Sequence, residues 1–341
     1  MHLSSSLRNI AIAALLLMGV AAEAPAQGGK GDRNKAQPFF DPPRQTIVTS
    51  FSAINSWTGS LLDGVQKPAA LFYGNAKLSK EEMGGYQEGQ LEAAEAIVIY
   101  GGPEDRWILD SLPKDKKKRP LITLLPEDSS PDARPSNKWL DVEHARKDVA
   151  TLTDELVRNY KNKEDVIRKN AANYDQELAK LSDWSNRLLE PYRGAKVTLE
   201  RPGIEPMLER HGIEVIGYLT TATDREPNAG EVKRFREMIS HMDPPVVIRA
   251  PGEMSISLLR LTLDVPIRFI MVDPMVSGEA EPGHYVEQMR QNSINLALGL
   301  KGAREIAVAF TPAPTPTPGG DDAEEGDAAM PDDENSEPEE P

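Results

Sequence analysis

Between Lys163 and Leu189 no Gly or Pro interrupts the chain, and Ile167, Ala171, Tyr174, Leu178, Leu181 and Leu188 recur near heptad spacing. This pattern predicts one helix of about 25 residues, roughly 38 Å long, with a single apolar stripe. The stripe lasts about three heptads and is rich in small and aromatic residues, which suits a strut laid across two bodies better than a coiled-coil dimer.

The segments on either side of the strut alternate between strand-like and helix-like patterns. Before it, Thr46 to Phe51, Ala70 to Tyr73, Ile97 to Tyr100 and Leu121 to Leu125 read as strands, with helices at Glu88 to Ala96 and His144 to Tyr160. After it, strands are expected at Lys196 to Leu199, Glu214 to Leu219, Pro245 to Arg249 and Ile267 to Asp273. Helices are expected at Ile204 to Arg210, Ala229 to His241, Met254 to Thr262 and Pro282 to Leu300. Asn228 and Glu231 have the spacing of a capping box for the second of these helices. Alternation of this kind builds parallel sheets covered on both faces. The expected fold class is α/β: two lobes with parallel sheets flanked by helices, joined by one long linking helix.

The ends of the chain differ from this middle. Arg8, the apolar run Ile10 to Ala22 and the small residues Ala24-Pro25-Ala26 have the layout of a secretory signal over residues 1–26. A polar leader follows over 27–43, then an N-terminal lobe over 44–162, the linking helix over 163–190 and a C-terminal lobe over 191–310. A strand-like run, Glu305 to Phe310, closes that lobe. Residues 311–341 form a tail of two parts. A Pro-spaced stretch, Thr311 to Pro318, is stiff and extended, and the acidic run after it has too few apolar residues to form a core. The expected product is an exported, periplasmic, likewise disulfide-free protein, because the chain has no cysteine.

The net charge of −15 is concentrated in the tail: Asp321 to Glu340 holds eleven carboxylates and no Lys or Arg, leaving −4 for the rest. With no dominant basic patch, nucleic acid is not an expected partner. The cluster Lys114-Asp115-Lys116-Lys117-Lys118-Arg119 lies between two prolines and reads as a solvated loop. Neither a Ser/His/Asp trio nor an HxxxH spacing nor a phosphate-cradling Gly loop is present, so binding rather than catalysis is expected.

Three short motifs sharpen that expectation. Val197-Thr198-Leu199-Glu200 is followed by a helix pattern that stops at His211-Gly212; Lys138-Trp139-Leu140-Asp141 precedes the long helices; Val272-Asp273-Pro274 ends the last strand of the second lobe. Together with Thr46 to Ile54 and Tyr285 to Asn292, their order and spacing resemble the zinc and manganese receptors of bacterial ABC importers, across roughly residues 44–304. The resemblance implies a rigid linking helix, one divalent ion held between the lobes, and delivery of that ion by a monomeric receptor to an ABC permease in the inner membrane.

The resemblance also implies where the ligands lie, and there this chain departs from the pattern. The first family histidine falls at about Ser79, with Glu81 and Glu82 beside it. The second falls at Asn137, the third at Glu200 and the fourth ligand, an aspartate, at Asp273. The expected metal set is therefore Glu200, Asp273, Asn137 and Glu82. Oxygen donors without imidazole or thiolate favour Mn²⁺ over Zn²⁺.

Each of these residues has a blander reading. Glu200 could pair with the adjacent Arg201, Asp273 could shape a turn before Pro274, Asn137 could be a turn residue, and Glu82 could sit on a solvated helix start. The remaining histidines read as structural or solvated, with His211 placed to suit a cation near a helix end. The four tryptophans read as core, though a Trp-lined cleft could take a small organic solute. A metal-free scaffold that presents the acidic tail to a partner is the alternative function.

Overall fold

The computed structural model describes residues 47–73, 78–112, 120–125, 137–222, 225–276, 278 and 280–301. The signal, the leader, the basic cluster, the 305–310 run and the acidic tail lie outside the described residues.

Two four-stranded parallel sheets organise the chain. The first contains β1 (Ile47–Thr49), β2 (Ala69–Ala70), β3 (Ala96–Ile99) and β4 (Leu121–Thr123), in the order β2-β1-β3-β4. The second contains β5 (Lys196–Leu199), β6 (Glu214–Tyr218), β7 (Val246–Arg249) and β8 (Arg268–Met271), in the order β6-β5-β7-β8. The two lobes therefore share one topology. In each, the strand order reverses between the first and third strands, and in open parallel sheets ligands bind outside the carboxyl ends at that reversal.

Helices α1 (Ser52–Leu61), α2 (Gly85–Ala93) and α3 (Val142–Asn159) belong to the first lobe. Helices α5 (Glu205–Arg210), α6 (Ala229–Ile239) and α7 (Ile256–Leu261) belong to the second. The capping box expected at α6 forms in both directions between Asn228 and Glu231. Helix α1 was not among the helices the sequence suggested. Its sequence, SAINSWTGSL, is rich in small polar residues, yet nearly all of it is buried. Hydroxyls bond back along the helix, Thr58 Oγ to Ile54 O at 2.7 Å and Ser60 Oγ to Ser56 O at 2.9 Å, so polar residues can line a buried helix without orphaned groups.

The linking helix is α4 (Glu164–Leu189), 26 residues long. Its stripe Ile167, Tyr174, Leu178 and Leu181 is buried within the chain, against α1, α3 and α8 (His284–Lys301). No second copy is needed to cover it. The largest apolar cluster joins Phe51, Trp57 and Trp139 of the first lobe to Leu178 of α4 and to Leu199, Ile248 and Val272 of the second. A core continuous through both lobes opposes large hinge motion.

His211 corrects an expectation. It caps α5, but it is buried, and that burial, reinforced by the Arg210 and Arg193 guanidiniums, pushes its imidazole down to about 4. It is therefore neutral at pH 7 and not the cation its place at a helix end suggested. The unfolded chain takes up this proton below about 6.5 and the folded chain only below about 4, so stability is lost as pH falls through that window. Asp105 and Asp148, raised by burial to about 6 and about 7, act in the opposite sense. A comparison with His211→Gln isolates the histidine: between pH 6.5 and 4 the wild type should lose about 3 kcal/mol relative to the variant in urea unfolding. Parallel pH profiles would mean that His211 gains its proton without unfolding.

Candidate functional site

The reversal point of the second lobe places two charged side chains together. Glu200 follows the carboxyl end of β5, and its N–H donates to Ile248 O at 2.9 Å. Arg249 is the last residue of β7, the neighbouring strand. Arg249 Nε donates to Glu200 Oε2 at 3.1 Å, and Arg249 Nη2 donates to Gly252 O at 2.9 Å. The other carboxylate oxygen, Oε1, accepts the Ser255 N–H at 3.0 Å. Both side chains are buried, at 8% and 7% exposure. In such surroundings an unpaired charge is costly, which accounts for the tight pairing.

Sequence reasoning placed Arg201 beside Glu200 as its candidate partner. The structure instead sends the Arg201 guanidinium to the carbonyls of Ala222 and Arg225. Arg249 was not foreseen. A strand that ends on arginine was visible in Pro245 to Arg249, but its pairing with Glu200 depends on β5 and β7 being neighbours, which only the strand order reveals.

Glu200 and Arg249 lie in the wall of a cleft of about 470 Å³. Asn137 lines the same cleft from the first lobe, and Pro274 from the loop after β8. Asn137 adopts a left-handed conformation, φ 36°, and is 6% exposed. Its Nδ2 donates to Gly203 O at 2.7 Å across the lobes, while its Oδ1 is buried without a partner. Gly203, at φ +122°, must be glycine here, since a Cβ would lie 2.9 Å from Asn137 Nδ2. A buried carbonyl oxygen without a partner is uncommon and costly, and it marks Asn137 as a residue to test.

Asp273 and Glu82 stand elsewhere. Asp273 follows β8 and does not line the cleft. Its Oδ1 accepts the Met275 N–H at 2.7 Å, and its backbone is held by Asn292 of α8 through bonds of 2.9 and 2.8 Å. Burial raises its carboxyl, opposed by the Met275 N–H and by the nearby His284; Glu200 is not a cause. Glu82 sits on an exposed turn and does not line the cleft. Among the described residues, no group of three or more His, Cys, Asp or Glu comes together to hold a metal ion. The structure therefore brings together Glu200 and Asn137, and adds Arg249.

Hydrogen bonds fasten the lobes around this cleft. Trp139 Nε1 donates to Pro274 O at 2.7 Å, Tyr285 Oη to Trp139 O at 2.6 Å, and the Tyr285 N–H to Ser56 Oγ at 3.0 Å. Lys67 and Glu281 pair at 3.0 Å on the surface. The expected core role of Trp57 and Trp139 is met, since both are fully buried.

Among solved structures, the chain is similar to the solute-binding protein FpvC from Pseudomonas aeruginosa in complex with Mn²⁺. The TM-score is 0.67 at 16% identity, over 76% of this chain and 98% of that one. It is also similar to AdcAII of Streptococcus pneumoniae, with TM-score 0.65 at 17% identity over 75% of this chain and 98% of that one. A third is the laminin-binding protein Lmb of Streptococcus agalactiae, described as an adhesin with metal-transporting activity: TM-score 0.65 and 16% identity over 75% of this chain and 100% of that one. These likenesses establish the two-lobed fold. A comparison with curated sequences finds no match. The family model described as zinc-uptake complex component A, periplasmic (ZnuA), matches residues 47–299, most of the chain, and the chain accordingly belongs to the ZnuA family.

Proposed function

We propose that the chain is an exported receptor that captures a divalent cation between its lobes and presents it to an ABC permease in the inner membrane. The observation that carries this reading is the cleft at the strand reversal, where Glu200 and Asn137 line one space. Both offer hard oxygens, and neither imidazole nor thiolate lines the cleft with them. Glu226 and Glu253 line the same cleft, and a shell of carboxylate, amide and water oxygens suits Mn²⁺ and Mg²⁺ better than Zn²⁺. Asp273 could join only if its turn with Met275 opened, and Glu82 only if its turn moved inward. The cargo is accordingly Mn²⁺-like rather than Zn²⁺-like, and the protein acts as a monomer.

Thermal unfolding of the metal-stripped full chain tests this reading. An ion that binds the native state at a hundredfold over its Kd should stabilise it by about 2.7 kcal/mol. The expected result is a saturable upward shift with Mn²⁺, a smaller one with Zn²⁺, and neither in Glu200→Gln. The variant keeps the acidic tail, so loose binding of cations there cancels from the comparison. Equal shifts in wild type and Glu200→Gln would remove the cleft from the function.

A further inference from the structure

We propose that Arg249 is a resident counter-ion, holding Glu200 when cargo is absent and competing with cargo for it. The proposal rests on the cation-receptor reading above and adds the residue that sets its affinity. Glu200 cannot stand bare, because it is buried and both its oxygens are already engaged, one by Arg249 Nε and one by the Ser255 N–H. The guanidinium is itself anchored from behind by Gly252 O, and its strand is registered by the Val272 N–H donating to Arg249 O at 3.0 Å. A divalent ion approaching Oε2 meets an oxygen that is already charge-paired. An ion at that oxygen would stand within a few ångströms of the guanidinium and be repelled by it, so binding must work against Arg249 or push it aside.

Two consequences follow from this charge competition. The empty receptor keeps the Glu200 carboxylate paired, which explains how a carboxylate meant for cargo persists in a buried place. The intrinsic affinity of the cleft is also masked, because every binding event must overcome the Arg249 charge on Glu200. Asn137 Oδ1, enclosed and without a hydrogen-bond partner, carries no such competitor.

Titration calorimetry of the metal-stripped full chain with MnCl₂ reads this directly. Arg249→Met should bind Mn²⁺ at least tenfold more tightly than wild type. Glu200→Gln/Arg249→Met removes both charges and should bind none through the cleft. If Arg249→Met folds poorly, refolding from urea with and without Mn²⁺ gives the same answer: the ion should raise the folded yield of Arg249→Met and leave the double variant unchanged. Tightening in Arg249→Met with no measurable binding by wild type would support the counter-ion and refute the native cation reading. Binding by wild type with no tightening in Arg249→Met would do the reverse. Silence from every protein would overturn both, as would refolding indifferent to Mn²⁺.

Discussion

Arg249→Met is expected to cost the metal-free protein about 3–5 kcal/mol in urea unfolding, because it leaves the Glu200 carboxylate buried and unpaired. The pair is at 3.1 Å with both partners almost fully enclosed, so solvent screens it little. Glu200→Gln is expected to cost less, since a neutral amide can still accept the Ser255 N–H and the Arg249 guanidinium keeps Gly252 O. The double variant Glu200→Gln/Arg249→Met should recover most of the loss, because apolar or neutral replacement of a buried pair is often neutral or stabilising. The core runs through both lobes, so one cooperative transition should report all four proteins. A single variant as stable as wild type would show that water in the cleft already screens the pair, leaving no penalty for Arg249 to relieve.

The fold was largely legible in the sequence because its signals are local. The strut was visible from the absence of Gly and Pro and from the recurrence of its apolar stripe, and α4 begins within a residue of the expected start. Six of the eight strands fall within the runs that β-branched and aromatic residues suggested; β2 and β3 each begin one residue early, at Ala69 and Ala96. Helix α1 escaped because its Ser, Thr and Asn residues mimic a loop; burial in the core holds it, and the back-bonded hydroxyls of Thr58 and Ser60 are satisfied there. The site was half legible. Glu200 and Asn137 could be named from motif order, and they do line one cleft. Arg249 could not be paired with Glu200, since the two are 49 positions apart and meet only because β7 pairs with β5. For Asp273 the sequence left ligand and turn open; Met275 and Asn292, nineteen positions on, hold it in a turn.

Trp139→Ala should destabilise the protein by about 3–5 kcal/mol, the range for removing a large aromatic side chain from a packed core. Trp139 is fully buried, tilted against Phe51 with ring centroids 4.9 Å apart and edge-on to Tyr100 at 4.8 Å. Its Nε1–H reaches Pro274 O in the loop after β8, so the same substitution also cuts a bond between lobes. The backbone of the Trp139 turn is held independently, by the Tyr285 hydroxyl on Trp139 O. Removing that hydroxyl in Tyr285→Phe should therefore cost only about 1 kcal/mol and leave the indole in place. The contrast separates packing from tethering. Losses of similar size in Trp139→Ala and Tyr285→Phe would mean that the tether, and not the indole, fixes the turn. A large loss confined to Trp139→Ala assigns the indole the task of setting the cleft, because Asn137 stands two residues before it and lines that space.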